Sequence, residues 1–302
     1  MNHAFCKLIQ MDELPAIKIE HPRFNAILLL QGAQLIEFRP QENQFENVLW
    51  LSPSAQYKLG SPIRGGIPIC WPWFGNLDKN PDSIQDQVDN KTSASAHGFA
   101  RSMPWQIKHI QEDCHFVEVT LSLSSDSTTK ELWPFEFELE AKFVLSNTLK
   151  FALVTSNTGS LPFSISQALH TYLPTQDIKH SFIHSAQNST YIDALDSWKE
   201  KQQVGKVSFS GETDRLYFFE DKEYSLRLET PTQSLLINNK NSQSAVIWNP
   251  WVEKSKRLSQ FSPLDFQKML CIETANVLSD AKKINAGEQI EISVELAIHS
   301  SQ

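Results

Sequence analysis

Two ionisable side chains set in apolar, extended stretches are the first candidates for chemistry. Glu273 sits inside Met269-Leu270-Cys271-Ile272-Glu273-Thr274-Ala275-Asn276-Val277. An ionised carboxylate is costly in such a strand unless it is paired. His170 sits in Ser166-Gln167-Ala168-Leu169-His170-Thr171-Tyr172-Leu173-Pro174. It is either a hydrogen-bonded core histidine or a proton donor working near neutral pH. A third stretch, Arg64-Gly65-Gly66-Ile67-Pro68 followed by Trp71-Pro72-Trp73-Phe74-Gly75, puts a fixed cation beside glycines, prolines and aromatics. Its glycines allow positive φ or a close backbone approach, and its prolines stiffen the loop. The arginine's planar fork suits a phosphate or carboxylate, and the aromatic faces suit a sugar ring or a core.

Three weaker groups complete the set. His97 and Arg101 flank a glycine and an aromatic in His97-Gly98-Phe99-Ala100-Arg101, a ligand loop or a capped turn. Trp248-Asn249-Pro250-Trp251, with Lys254 beyond it, reads as aromatic wall or core with a turn at Asn249. Asp193, in Tyr191-Ile192-Asp193, fits a hydroxyl contact or a surface turn. Together these residues describe one site: a carboxylate, a histidine, one or two arginines and a wall of tryptophans. Such a site can bind a small anionic polyol and move protons on it.

The elements that must position these residues are strands. In 135–143 every odd position is apolar and every even one charged, the mark of a strand with one wet face. The same alternation marks 117–123, 149–153, 224–228 and 290–298, with a hairpin turn at 146–148. The one helix candidate is 263–269, with Ser262 as cap and Pro263 at its first position. The expectation is an all-β fold, antiparallel sheets stacked in a sandwich and spanning 1–302 as one domain. The polar stretch 77–96 reads as a long surface loop and a mobile flap, and 122–129 as a second polar loop.

Composition removes whole classes of function. Twenty-seven basic against thirty-five acidic residues give a net charge of −8, which argues against nucleic acid as partner. Cys6, Cys70, Cys114 and Cys271 are scattered, with no Cys-x-x-Cys pair, so reduced buried thiols are expected rather than a zinc knuckle or disulfide scaffold. No signal-peptide core and no membrane-length apolar run is present, so a cytoplasmic protein is expected. Phosphate-loop, dinucleotide, zinc-hydrolase and α/β-hydrolase signatures are all missing.

The motifs resemble those of the hexose-6-phosphate mutarotases, the glucose-6-phosphate 1-epimerases of the aldose-1-epimerase-like superfamily. The resemblance rests on Arg64–Pro68 with Trp71–Gly75, His97–Arg101, the His170 segment, Tyr191-x-Asp193, Trp248–Trp251 and Cys271–Asn276, in family order over about residues 25–298. It implies a β-supersandwich of the galactose mutarotase-like type with the site on a concave face. It also implies His170 as general acid, Glu273 as general base, Arg64 and Arg101 as phosphate ligands, His97 and Asp193 as hydroxyl contacts, and Trp71 and Trp248 in the pocket wall. The implied reaction interconverts α and β anomers of an aldohexose 6-phosphate, without metal or other cofactor, in a protein expected to be a monomer. A non-catalytic phosphosugar sensor on the same fold, and a glycoside hydrolase pairing Glu273 with Asp193, are the alternatives.

Overall fold

A computed structural model describes residues 3–41 and 47–299 of the chain. Its described residues are dominated by antiparallel strands. A four-stranded meander, Cys6–Met11 to Gln34–Pro40, opens the chain. A nine-stranded sheet carries Gln289–His299 near its middle, flanked by Ser234–Lys240 and Leu149–Asn157. An eight-stranded sheet is built around Ser244–Asn249 and Met269–Asn276.

The period-two strands fall where the pattern puts them. Phe137–Leu145 alternates buried and half-buried at every step. It pairs with Leu149–Asn157 across the expected turn, Leu145 opposite Leu149. Phe143 and Phe151 stack across that pair at 4.3 Å, a contact worth up to about 1.5 kcal/mol beyond the area they bury. Among the described residues no helix is long and apolar enough to cross a membrane.

Met269–Asn276 breaks the alternation, since all eight of its residues are buried. Both its faces are covered. Thr274 points to the nine-stranded sheet, where its hydroxyl donates to Asn239 Oδ1 at 2.5 Å. Glu273, one residue earlier, therefore faces the other way, as strand geometry requires.

The helical expectations need correction. Only a single turn of 3₁₀ helix, Asp265–Gln267, forms within 263–269. The Ser262 amide donates to Asp265 Oδ2, and the chain enters a strand at Met269, so there is no length for an α-helix. Residues 122–129 are not all loop: Asp126 caps the helix Ser127–Leu132, accepting from the Thr129 amide while Thr129 Oγ1 accepts from the Asp126 amide. A threonine in place of the usual glutamate at that third position hid the capping box.

The expected flap is also corrected. The 77–96 stretch is short helical turns, Leu77–Lys79, Asp82–Gln85 and Lys91–Ser93, with Leu77, Ile84 and Val88 buried. Gln87 exchanges two hydrogen bonds of 2.8 Å with the backbone of Ser164. Asn80 donates to Phe74 O and Asn76 O, at 2.8 and 2.9 Å, and accepts from the Ser166 hydroxyl. The stretch is stapled to the body of the protein. Of the cysteines, Cys6, Cys70 and Cys271 are free and buried as expected, whereas Cys114 is free and exposed.

Two glycines of the motifs are required by the chain's own packing. Gly66 (φ +63) passes so close to the meander that a Cβ would lie 2.2 Å from Leu35 O. Gly98 (φ +68) would put a Cβ 2.0 Å from Trp71 O, which accepts from the Phe99 amide. Gly98→Ala is expected to destabilise the protein by at least about 2 kcal/mol, because both the φ and the space are wrong. Chemical denaturation measures this, and an unshifted midpoint would refute it.

Candidate active site

His170 and Glu273 are brought together by strand register. Gln167–Leu169 and Tyr172–Pro174 both pair with Met269–Asn276, Leu169 opposite Thr274 and Tyr172 opposite Cys271. The same register carried across the interruption sets His170 opposite Glu273, residues that are 103 positions apart in the chain. His170 Nε2 lies 3.5 Å from Glu273 Oε1, with the side chains only 9% and 1% exposed. Tyr172 stacks flat on the imidazole, ring centres 4.7 Å apart and 6° from parallel, and so fixes its plane.

These two residues form the floor of a cavity of about 640 Å³. Its walls carry four cationic side chains, Arg64, Lys79, Arg101 and Lys254, with His97, Trp248 and Asp214. Arg64 is held by Ser259 O at 3.2 Å and by the Tyr172 hydroxyl at 3.4 Å. Arg101 Nη2 donates to Ala96 O at 2.7 Å, while its Nε has no partner. Glu273 Oε2 and His170 Nδ1 are likewise buried without a partner. Buried polar groups are nearly always satisfied, so this cluster of exceptions marks where a polar ligand completes the bonding.

Burial controls the proton positions. Desolvation, followed by the charges of Arg101 and Arg64, pulls His170 down to about 3. Desolvation, with Asp214 adding to it and Arg101 opposing it, pushes Glu273 well above the carboxylate range. Both shifts favour the uncharged form of the pair, imidazole with carboxylic acid. Desolvation, then the charge of Arg101, also drives His97 well below the normal histidine value. The Gly75 amide donates to His97 Nδ1 at 3.2 Å, which leaves Nε2 as the N–H donor of a neutral ring.

Six of the eight residues singled out from sequence line this cavity: Arg64, His97, Arg101, His170, Trp248 and Glu273. Trp71 does not. Its indole is fully buried against Phe99, Trp133 and Phe137, with ring centres 4.5–5.5 Å away, so it is core behind the site. Asp193 does not line it either. One carboxylate oxygen accepts from Lys201 Nζ at 2.8 Å and the other from the Leu195 amide at 3.1 Å, because the residue anchors a hairpin turn. The aspartate that reaches the cavity is Asp214, on the neighbouring strand Thr213–Phe218 and opposite Trp248. Lys254 stands 3.7 Å from it and 3.3 Å from Glu212. Sequence reasoning missed Asp214, Lys79 and Tyr172. Only Asp214 left a signal, an acidic residue within the strand Thr213–Phe218.

The antiparallel β-supersandwich is the fold of the sugar mutarotases, and the sequence relatives belong to the same class. A family model described as aldose 1-epimerase matches residues 15–297. The chain belongs to the aldose 1-epimerase family. It is 32% identical over 276 residues to an Escherichia coli K12 protein named "Putative glucose-6-phosphate 1-epimerase", covering 91% of this chain and 87% of that one. A Haemophilus influenzae protein of the same name is 27% identical over 96% of this chain and 94% of its own. A crystal structure described as a "putative mutarotase" from Salmonella typhimurium superimposes with a TM-score of 0.88 at 27% identity, covering 100% of this chain and 96% of that one. A galactose mutarotase-like protein from Lactobacillus casei shares the fold at a TM-score of 0.70 and 15% identity, over 94% of this chain and 100% of that one. The protein is an isomerase of the mutarotase class, and the family chemistry is the interconversion of sugar anomers.

The pKa directions give a sign to test. Above about pH 4.5 the unfolded chain releases the Glu273 proton while the folded one retains it, so this residue lowers stability as pH rises. Glu273→Gln is expected to raise the melting temperature more at pH 8 than at pH 4.5. Equal shifts at the two pH values, read by calorimetry, would contradict a proton held on the buried carboxyl.

Proposed function

We infer that the protein interconverts the α and β anomers of an aldohexose 6-phosphate, with glucose 6-phosphate the leading candidate. The observation that carries this reading is the buried His170–Glu273 pair on the floor of a cavity with four cationic side chains. The pair suits ring opening, and the cations suit a phosphate on the same sugar. The names of the relatives at 27–32% identity point to the same substrate.

In this mechanism Glu273 takes the proton from the C1 hydroxyl while His170 gives one to the ring oxygen. The C1–O5 bond breaks and leaves the open-chain aldehyde. Rotation about C1–C2 offers the other carbonyl face, and the two transfers run backwards as the ring closes. Opening the ring converts imidazolium and carboxylate into imidazole and carboxylic acid, with one proton on the pair throughout. A desolvated site favours that uncharged form, so burial stabilises the open-chain state relative to the ring.

Phosphate recognition is coupled to this step. The guanidinium groups of Arg101 and Arg64 are among the causes that lower His170's proton affinity. A bound phosphate dianion neutralises them and returns proton affinity to the imidazole, readying the acid only when the right substrate is present. The arginines also fix the ring for transfer by holding the end of the sugar remote from C1.

Glu273→Gln is expected to lower the rate of anomerisation by about 10²- to 10⁴-fold while phosphosugar binding persists. Polarimetry or exchange NMR on fresh α-glucose 6-phosphate reads the rate, and calorimetry the binding. Full activity in the variant would remove Glu273 from the mechanism. Binding without turnover in the wild-type protein would replace this reading by that of a phosphosugar sensor. Arg101→Ala is expected to raise KM for glucose 6-phosphate by about 10- to 100-fold and to change that for glucose far less. Equal effects on the two sugars would place the phosphate elsewhere.

A further inference from the structure

The hairpin that Asp193 anchors has an unusual tip. Thr190–Asp193 pairs with Lys199–Gln202, and residues 194–198 join them. The Lys199 amide donates to Asp196 O at 3.1 Å, closing a four-residue turn around Ser197 and Trp198. Both central residues have positive φ, 52° and 59°. That is the pattern of a type I′ turn, a position normally filled by Asn-Gly or Asp-Gly because other side chains are strained there. Here one of the two is a tryptophan.

This turn is held firmly. Asp196 accepts from Lys199 at 3.0 Å and from Lys201 at 2.9 Å, and Asp193 accepts from Lys201 and the Leu195 amide. The strain does not bring the side chains into the core, since Trp198 is left 38% exposed and its neighbour Leu195 48% exposed. Both residues line the mouth of the cavity whose floor is His170 and Glu273. A part-exposed indole in a strained backbone at the rim of a cation-lined cavity is not explained by folding alone. Strain of this kind persists where the surrounding structure holds it for function.

We propose that Trp198 is a substrate-positioning residue: its indole is a stacking platform for the C–H face of the hexose ring. This rests on the sugar-anomerising reading of the cavity, and it names a contact that does not involve the phosphate. The platform opposes the cationic wall in kind. The arginines select the phosphate, and the indole selects a pyranose face over other small phosphates. With the sugar held at its flat face and at its phosphate, C1 has little freedom relative to the His170–Glu273 floor.

The decisive comparison is Trp198→Gly with Trp198→Phe. Glycine removes the platform and also relieves the positive φ, so W198G is expected to melt about 2 °C higher than wild type. It is expected to raise KM by about 3- to 10-fold for both glucose 6-phosphate and glucose, with the loss carried by KM rather than kcat. W198F, which keeps an aromatic face, is expected to stay within about twofold of wild type. An unchanged KM in W198G would overturn the proposal, and so would a W198F as weak as W198G. A lower melting temperature in W198G would also overturn it, since the indole would then be a packing residue. A wild-type protein that anomerises neither sugar would instead defeat the functional reading beneath it.

Discussion

Everything in the site depends on one cross-strand relation, an imidazole held opposite a carboxyl inside a sheet. Two short strands either side of His170 share one register along Met269–Asn276, so the facing pair is set by backbone hydrogen bonding and not by loop placement. A slip of one residue would turn Glu273 to the opposite face, toward the nine-stranded sheet. The position of the chemistry is therefore as well specified as the position of the core.

The environment of the pair gives that geometry its chemical meaning. The same burial that drives protons off His170 and onto Glu273 makes the uncharged arrangement the low-energy one. Around it stand charges of the opposite kind to a phosphate, among them Arg64 and Arg101, and the neutral donor ring of His97. In the proposed mechanism, selectivity and proton transfer share one electrostatic field: the arginines that would bind the anion also lower the proton affinity of His170.

Much of this was legible in the sequence because strand chemistry is local. The alternation of Phe137–Leu145 and the charge inside the apolar run around Glu273 follow from residue type and period alone. Trp71 and Asp193 were misplaced for a reason equally physical. A tryptophan in a loop looks the same whether its ring meets Phe99, Trp133 and Phe137 or a ligand, and only three dimensions distinguish them. Asp193 pairs opposite Arg215, the neighbour of Asp214, so the two carboxylates lie on opposite faces of one sheet and strand parity decides which reaches the cavity. The 77–96 stretch looked free because it is polar. Its order comes from side-chain amides bonding to backbone, through Asn80 and Gln87, a signal that composition does not carry.

That stapling has a consequence for how the catalyst spends its turnover. Asn76, Lys79 and Asn80 belong to the cavity wall and also to the bonded stretch. The wall is already bonded without a sugar, which leaves less of the chain for a ligand to order. Little affinity is diverted into shaping the receptacle. A pre-bonded wall of this kind suits a reaction whose two products differ only at one carbon.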